Sequence, residues 1–288
     1  MNVCRFQSVD DFYSRAESFL VAREAEHNLT LGICFGIKNS PELYPEYYLA
    51  AVEHDGKVIA TAVMTPPYRL VLSTSSVPQT AELFAIDLKQ VALKVPSVTG
   101  PPTLSKAFAM HWTEFTSQTA APDMSMRIYQ LDAVKPAQGV SGAMRRAGQP
   151  DRATCIEWAN AFGKEAFARP QPGNSEKAVD IFLSSDPANR GLIIWDDGGP
   201  VSMAVYTGPT PNGMRVGMVY TPPERRGKGY ASANVAALSQ MILDTGRRFC
   251  FLFTDLNNPT SNHIYQDIGY NPVSDVAEFV FNDPPAGS

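Results

Sequence analysis

Tyr220-Thr221-Pro222-Pro223-Glu224-Arg225-Arg226-Gly227-Lys228-Gly229-Tyr230-Ala231 joins a run that reads as a strand, Met214–Tyr220, to a segment that reads as a helix. Beyond Gly229, residues Ala231, Val235, Leu238 and Ile242 recur four, three and four apart. That is the spacing of one buried helical face, and Gly246 marks its end. A helix start carries unpaired backbone N–H groups and the positive end of the dipole. Gly227 and Gly229 let a ligand come close to that backbone, and Arg225, Arg226 and Lys228 add full charges. The stretch is suited to gripping a pyrophosphate. A P-loop would need Gly-x-x-x-x-Gly-Lys-Ser/Thr, which is absent. A dinucleotide fingerprint would place a tight turn straight off the strand, where Pro222-Pro223 and three further residues intervene. A glycine-rich turn that only opens a helix remains the plain alternative.

Outward from this stretch, the chain is mildly acidic, with a formal net charge of -5 over 288 residues. Lys and Arg number 11 against 14 Asp and Glu in residues 1–140, and 13 against 15 in residues 141–288. Neither half is basic, so a nucleic-acid track is not expected, and the cations at 225–228 form a local anion site. Cys4, Cys34, Cys155 and Cys250 are far apart, as are His27, His54, His111 and His263. No ligand spacing for zinc is present, so no metal is expected. Lone thiols, no export signal and no apolar run of about 18 residues predict a cytoplasmic protein with no membrane partner.

The two halves share a plan. Tyr48–Val52 and Val58–Val63 flank Asp55-Gly56; Leu192–Trp195 and Val201–Tyr206 flank Asp197-Gly198-Gly199. Both read as hairpins. Leu49 and Leu192, Gly56 and Gly199, and Val58 and Val201 are each 143 apart, which suggests internal duplication. In the first half, helices are expected near 8–26, capped by Ser8 or Asp10, near 79–95 and near 103–117. Strands are expected near 68–73 and 124–134. Residues 135–142 are the best linker, giving domains 1–136 and 137–288. In the second half, a strand near 140–145, helices from 151 to about 167 and ending near 184, and a break at 170–173 precede the hairpin. A strand at 249–254, a helix at 259–268 closed by Gly269, and a strand near 276–281 complete it. The mixture indicates an α/β or α+β layer fold. Trp112, Trp158 and Trp195 read as core; Tyr44, Tyr47 and Tyr48 line a cleft or pack a loop.

A second segment, Asn258-Pro259-Thr260-Ser261-Asn262-His263-Ile264-Tyr265-Gln266-Asp267-Ile268-Gly269-Tyr270, follows about 30 residues on. Asn258 or Ser261 can cap its helix, and spacing alone makes Tyr265 a packing residue. Together, Arg226-x-x-Gly229-x-Ala231 after a strand and Asn258 with Tyr265-x-x-Ile268-Gly269-Tyr270 resemble the acetyl-CoA signature and later helix of the GNAT N-acetyltransferase superfamily. The order of elements from 140 to 282 resembles its fold as well. The first half resembles that fold without the signature: Leu72-Ser73-Thr74-Ser75-Ser76-Val77-Pro78-Gln79 has no glycine pair and no cation. The resemblance implies two GNAT-like domains, each a mixed, mostly antiparallel sheet flanked by helices, the first a degenerate copy.

It also implies roles. The backbone of Val219, Tyr220 and Thr221 would meet the pantetheine arm and polarise the thioester carbonyl. The amides of Arg226, Gly227, Lys228, Gly229, Tyr230 and Ala231 would hold the pyrophosphate, and Arg225, Arg226 or Lys228 the 3′-phosphate. Asn258 and Asn262 would contact pantetheine. Tyr265 would be the general acid, a phenol mostly protonated at neutral pH. Acetyl-CoA is the implied co-substrate and a small-molecule or peptide amine the acceptor, for a monomer or homodimer. Many members place a carboxylate on the central strand as base; Met214–Tyr220 has none. Glu224, Asp255, a water chain, Glu24 and Glu26 stay open for that role. So do two other readings, a non-catalytic acyl-CoA-binding module and a nucleotide-dependent oxidoreductase.

Overall fold

A computed structural model describes residues 1–170 and 172–283. Residue 171 of the expected break, and residues 284–288 at the end of the expected second domain, lie outside the described residues. The chain forms two compact units. Unit 1 comprises Met1–Ile128 together with the described residues from Val273 onward; unit 2 is Tyr129–Pro272.

The first half of the chain runs β1 (Asn2–Arg5), α1 (Val9–Val21), α2 (Asn28–Asn39), β2 (Tyr48–His54), β3 (Lys57–Met64), β4 (Leu70–Leu72), α3 (Gln79–Gln90), β5 (Ser97–Gly100), α4 (Pro102–Thr116) and β6 (Thr119–Leu131). The second half repeats that order: β7 (Ala143–Arg146), α5 (Arg152–Ala166), α6 (Ser175–Ser184), β8 (Gly191–Asp196), β9 (Pro200–Thr207), β10 (Gly213–Tyr220), α7 (Tyr230–Asp244), β11 (Phe249–Asp255), α8 (Pro259–Ile268) and β12 (Asn271–Asn282).

The destination of the last strand of each half differs from a cut at 136/137. Within unit 1 the sheet order is β1-β2-β3-β4-β5-β12-β6, so the strand beside β5 comes from the far end of the chain. Within unit 2 the order is β6-β11-β10-β9-β8-β7, so the strand beside β11 is the end of β6, Tyr129–Leu131. A boundary read from linker composition locates the flexible-looking residues 135–142. It carries no information on which sheet a strand joins. The pairs are mostly antiparallel; β4–β5 and β10–β11 are parallel.

The two hairpins share a detail. Each carries a register irregularity close to its turn, between Val52 and Glu53 in the first, two pairs from the turn, and between Trp195 and Asp196 in the second, one pair from it. Those positions are 143 apart. The turns themselves differ: His54 pairs Lys57 across two residues, whereas Asp196 pairs Pro200 across three.

Strand alternation sorts each core into two faces. In unit 1, Ala50, Val52, Ala62 and Met64 face α3 and α4, meeting Phe84, Leu88, Phe108 and Trp112. Leu49 and Val63 face α1 and α2, meeting Phe12, Leu20, Leu31 and Ile37. In unit 2, Ile193 and Ala204 meet Val235, Leu238, Ile242 and Ile268 of α7 and α8. Leu192, Ile194, Met203 and Val205 meet Cys155, Trp158 and Val179 of α5 and α6. The three tryptophans are buried. Ser8 caps α1, its Oγ accepting from the amides of Asp10 and Asp11 at 3.1 and 3.4 Å. Helix α1 stops at Val21, short of 26, and α2 was not expected, because Gly32 and Gly36 break its pattern and weaken its propensity. Gly36 is needed there: a Cβ would lie 2.6 Å from the Tyr44 hydroxyl. Tyr44, Tyr47 and Tyr48 pack; Tyr47 donates to the Gln7 carbonyl at 3.0 Å and Tyr48 to Asp87 at 2.8 Å. Among the described residues no helix is long and apolar enough to cross a membrane.

Candidate functional site

The site is built where β10 parts from β11. The two pair in parallel only from Gly213 with Phe249 to Arg215 with Phe251. Beyond Arg215 a bulge shifts the β10 register against β9 between Gly217 and Tyr220, and Met218 takes a φ of 46°. A bulge adds one residue and reverses which face each later side chain meets. Met214 and Val216 face α7, and without the bulge Met218 and Tyr220 would follow them. Instead Val219 packs on the α7 side, while Met218 and Tyr220 pack on the α5 side. The separated stretch of β10 leads through Pro222 and a short 3-10 turn, Pro223–Arg225, to the tip of α7.

That tip is rich in unpaired donors. The amides of Arg225 and Arg226 donate to the carbonyls of Pro222 and Pro223 at 2.9 and 3.2 Å. The next backbone bond of the ladder runs from Ala233 to Gly229 at 2.9 Å. Among the described residues, the six amides from Gly227 to Ser232 make no hydrogen bond. Gly227 and Gly229 have φ of 76° and 80°, a region that strongly favours glycine, and residues 226–229 are exposed. Six consecutive free amides exceed the four that any helix start leaves. The Arg226 amide, expected among them, is already taken.

The Arg226 side chain is engaged too. Its Nε donates to the Thr221 carbonyl at 2.9 Å, a terminal nitrogen pairs with Glu165 at 2.7 Å, and its guanidinium lies 5.6 Å from the Tyr220 ring centre. Tyr220 also donates to Glu165, at 3.2 Å; burial first, then this carboxylate, raises the Tyr220 pKa. Arg226, Tyr220 and Thr221 thus form one cluster that shapes the loop. Glu165 was not foreseen: it lies 61 residues before Arg226, at the end of a helix. Arg225, Lys228 and Glu224 are exposed and in no ion pair among the described residues.

Helix α8 supplies the other expected residues. Asn258 is its cap, Oδ1 accepting from the Ser261 amide at 3.0 Å. Asn262 is saturated by its own surroundings. Its Nδ2 donates to the carbonyls of Asp255 and Asn258 at 3.0 and 2.8 Å, and its Oδ1 accepts from the Tyr129 hydroxyl at 3.1 Å. That side chain ties α8 to β11 and β6, which argues against the pantetheine contact expected of it. Tyr129 was missed because nothing in a strand-like run marks its hydroxyl. Asp255, a candidate base, accepts from the Asn257 amide at 2.8 Å and closes the turn into α8.

Tyr265 packs against the same core cluster as Val219, edge-on to Tyr270 with ring centres 6.0 Å apart. Its hydroxyl makes no hydrogen bond among the described residues, and burial pushes its pKa up to about 12. Such a phenol keeps its proton across the physiological range. Among the described residues no group of three or more His, Cys, Asp or Glu could hold a metal ion.

Unit 1 treats the matching region differently. Its parallel pair aligns Leu70 with Val98 and Val71 with Thr99, and a Cβ on Gly100 would sit 2.8 Å from the Leu72 carbonyl oxygen, so the strands stay close. Several of the following amides are occupied. Ser73 donates to the Thr61 carbonyl at 3.0 Å, Thr74 to His27 Nε2 at 3.2 Å, Val77 to Ser75 Oγ at 3.2 Å, and Thr80 to the Val77 carbonyl at 3.2 Å.

A family model described as FR47-like protein matches residues 203–280, which span β9 to β12. Among curated proteins none matches the chain. Among solved structures, a Drosophila protein aligns with a TM-score of 0.70 at 13% identity, over 99% of both chains. A GCN5-related N-acetyltransferase of Sphaerobacter thermophilus aligns at 0.60 and 16%, over 96% of this chain and 94% of that one. A tandem GNAT protein from the clavulanic acid biosynthesis pathway aligns at 0.54 and 12%, over 98% and 99%. Splayed parallel strands, a donor-rich helix tip and these likenesses agree: the chain is a GNAT-fold protein, and its residues 203–280 are FR47-like.

Proposed function

We propose that unit 2 binds acetyl-CoA and transfers the acetyl group to a primary amine, and that unit 1 is a degenerate copy without a working site. The observation that carries this reading is the run of six unpaired amides, Gly227 to Ser232, beside the point where β10 leaves β11. A diphosphate would satisfy those donors at the positive end of α7, with Arg225 and Lys228 as free cations nearby. Arg226 would act by holding the loop. The β10 backbone around Val219, Tyr220 and Thr221 would receive the pantetheine arm and orient the carbonyl. Asn258, whose Nδ2 is free among the described residues, would contact that arm. When bound, the thioester supplies an activated acyl group. Tyr265 holds the proton needed by the departing sulfur, and its unpaired hydroxyl is ready to donate it.

The test is a calorimetric titration with acetyl-CoA of the wild type and of Gly229→Glu, which would place a carboxylate among the amides. Heat from the wild type and none from the variant is expected. No heat from the wild type ends the reading. One observation favours a second reading, a non-catalytic acyl-CoA-binding unit: β10 carries no carboxylate to accept the amine's proton. Thiol release with any member of an amine panel would decide for the enzyme.

A further inference from the structure

The loop from Gly227 to Gly229 has no hydrogen bond of its own among the described residues, so it is defined by what pins its two ends. Arg226 pins one end. At the other stands Tyr230, the first residue of α7, whose ring is buried with Trp195, Val201 and Ala233 and covered by Val140 and Met144. The Tyr230 hydroxyl donates to Asp197 Oδ2 at 2.5 Å, and Ser141 Oγ donates to the same oxygen at 2.8 Å. Ser141 is itself held, its carbonyl accepting from Trp195 Nε1 at 2.8 Å. The segment presses directly on the loop: a Cβ on Gly229 would come within 2.9 Å of Val140 Cγ2.

Resting on the acetyl-CoA reading above, we propose that Asp197, acting through the Tyr230 hydroxyl, is a positioning residue for the diphosphate-binding turn, with Ser141 completing the clamp. Asp197 lies in the β8–β9 turn, 33 residues from Tyr230. It touches no ligand in this scheme. It fixes the first helical residue, and so the direction in which the free amides of Gly227 to Ser232 point. An anion site of fixed dipoles binds well because no reorganisation is needed on binding. The carboxylate, whose pKa is held low first by the Tyr230 and Ser141 hydroxyls and then by Lys228 and Arg225, also places a negative charge near those two cations. Tether and charge therefore act in opposite senses on a bound diphosphate, and they can be separated. Asn at 197 keeps an acceptor oxygen for both hydroxyls but drops the charge. Phe at 230 drops the tether but keeps the charge.

The test compares CoA, by calorimetry, with pantetheine, which lacks the diphosphate, by saturation-transfer NMR. For Tyr230→Phe, CoA should bind roughly ten- to a hundredfold more weakly, the scale of one lost charge-assisted hydrogen bond; Asp197→Ala, which also removes the opposing charge, should lose less. Pantetheine should be unchanged. Asp197→Asn should bind CoA at least as tightly as the wild type. Should Tyr230→Phe fail to fold, Ser141→Ala removes one of the two donors and should weaken CoA by about two- to threefold. Wild-type CoA affinity in Tyr230→Phe, or equal loss of CoA and pantetheine, would overturn the positioning role. Absence of CoA binding by the wild type would instead remove the reading it rests on.

Discussion

Acid should loosen unit 1 through His27. The ring is 1% exposed and stacked on Phe19 with centres 5.2 Å apart. Its Nδ1 lies 3.0 Å from the Leu20 carbonyl, which can only accept, so Nδ1 carries the hydrogen. Nε2 is then the acceptor for the Thr74 amide at 3.2 Å and the Thr74 hydroxyl at 2.9 Å. Burial first, and Arg23 in the same sense, lower the His27 pKa from 6.5 to about 4, against the opposing pull of the Leu20 carbonyl. The unfolded chain thus takes up this proton at higher pH than the folded one. Stability is whole above pH 6.5 and is lost as pH falls toward 4. The full difference corresponds to about 3 kcal/mol, and about 2 kcal/mol of it is gone by pH 5. Protonation would also turn Nε2 into a donor facing the Thr74 amide, releasing the loop before α3. The assay is urea denaturation at pH 7.5 and pH 5 for the wild type and His27→Gln, with hydrogen exchange of α1 and α2 assigning the change to unit 1. Glu278, whose pKa is raised chiefly by burial, acts in the opposite sense over part of this range. It is common to both proteins and cancels in the comparison. The wild type should lose about 2 kcal/mol more than the variant between the two pH values. Identical pH dependence in the two proteins would refute the argument.

Three further outcomes follow from single contacts. Tyr265→Phe should cut turnover on the order of a hundredfold while leaving acetyl-CoA affinity nearly unchanged; loss of both would make it a packing residue. Because its pKa is pushed up to about 12, Tyr265 should impose no alkaline fall in rate below about pH 10, and a decline there that disappears in a buffer-matched Tyr265→Phe profile would contradict this. Arg69 pairs with Glu278, which is 5% exposed and also accepts from Ser97 Oγ at 2.8 Å. Arg69→Met should therefore cost about 3–5 kcal/mol at neutral pH by denaturant titration, and adding Glu278→Gln should restore part of it.

Much of this molecule can be read from its residues, and the unread parts share a cause. Local signals worked where they were strong. The hairpins around Asp55-Gly56 and Asp197-Gly198-Gly199, the face of α7 and the capped helix α8 each lie close to their expected places. Helix α2 was hidden by Gly32 and Gly36, whose reason is a close approach by Tyr44 rather than anything local. Strands β1 and β5 have four residues each, too few to show a period. In the site, the unpaired amides of the loop were legible because glycine spacing and helix starts are local facts. Side-chain roles were not. Arg226 pairs with Glu165 across 61 residues, Tyr129 meets Asn262 across 133, and Tyr230 meets Asp197 across 33. Each needs the fold before it can be seen.

On the proposed function, element order alone does not make a binding site. Both halves of the chain run through the same ten elements, and both pair their fourth and fifth strands in parallel. The difference lies in what the backbone donors meet. In unit 2 a bulge at Met218 turns β10 away from β11, and two glycines at positive φ carry the chain into α7 with six amides unclaimed. In unit 1, β4 stays against β5 through Leu72 and Gly100, and Thr61, His27 and Ser75 take three of the amides that follow, those of Ser73, Thr74 and Val77. A free buried amide costs more than most single contacts return, so a loop without a ligand evolves or folds toward self-satisfaction. Donors that stay unpaired at an exposed tip cost little because water serves them, and they are the ones a phosphate can take over. Placing two glycines between Ser73 and Pro78 would therefore not by itself give unit 1 a site. The amide of Thr74 would still be held by His27, and the strands would still be closed at Gly100.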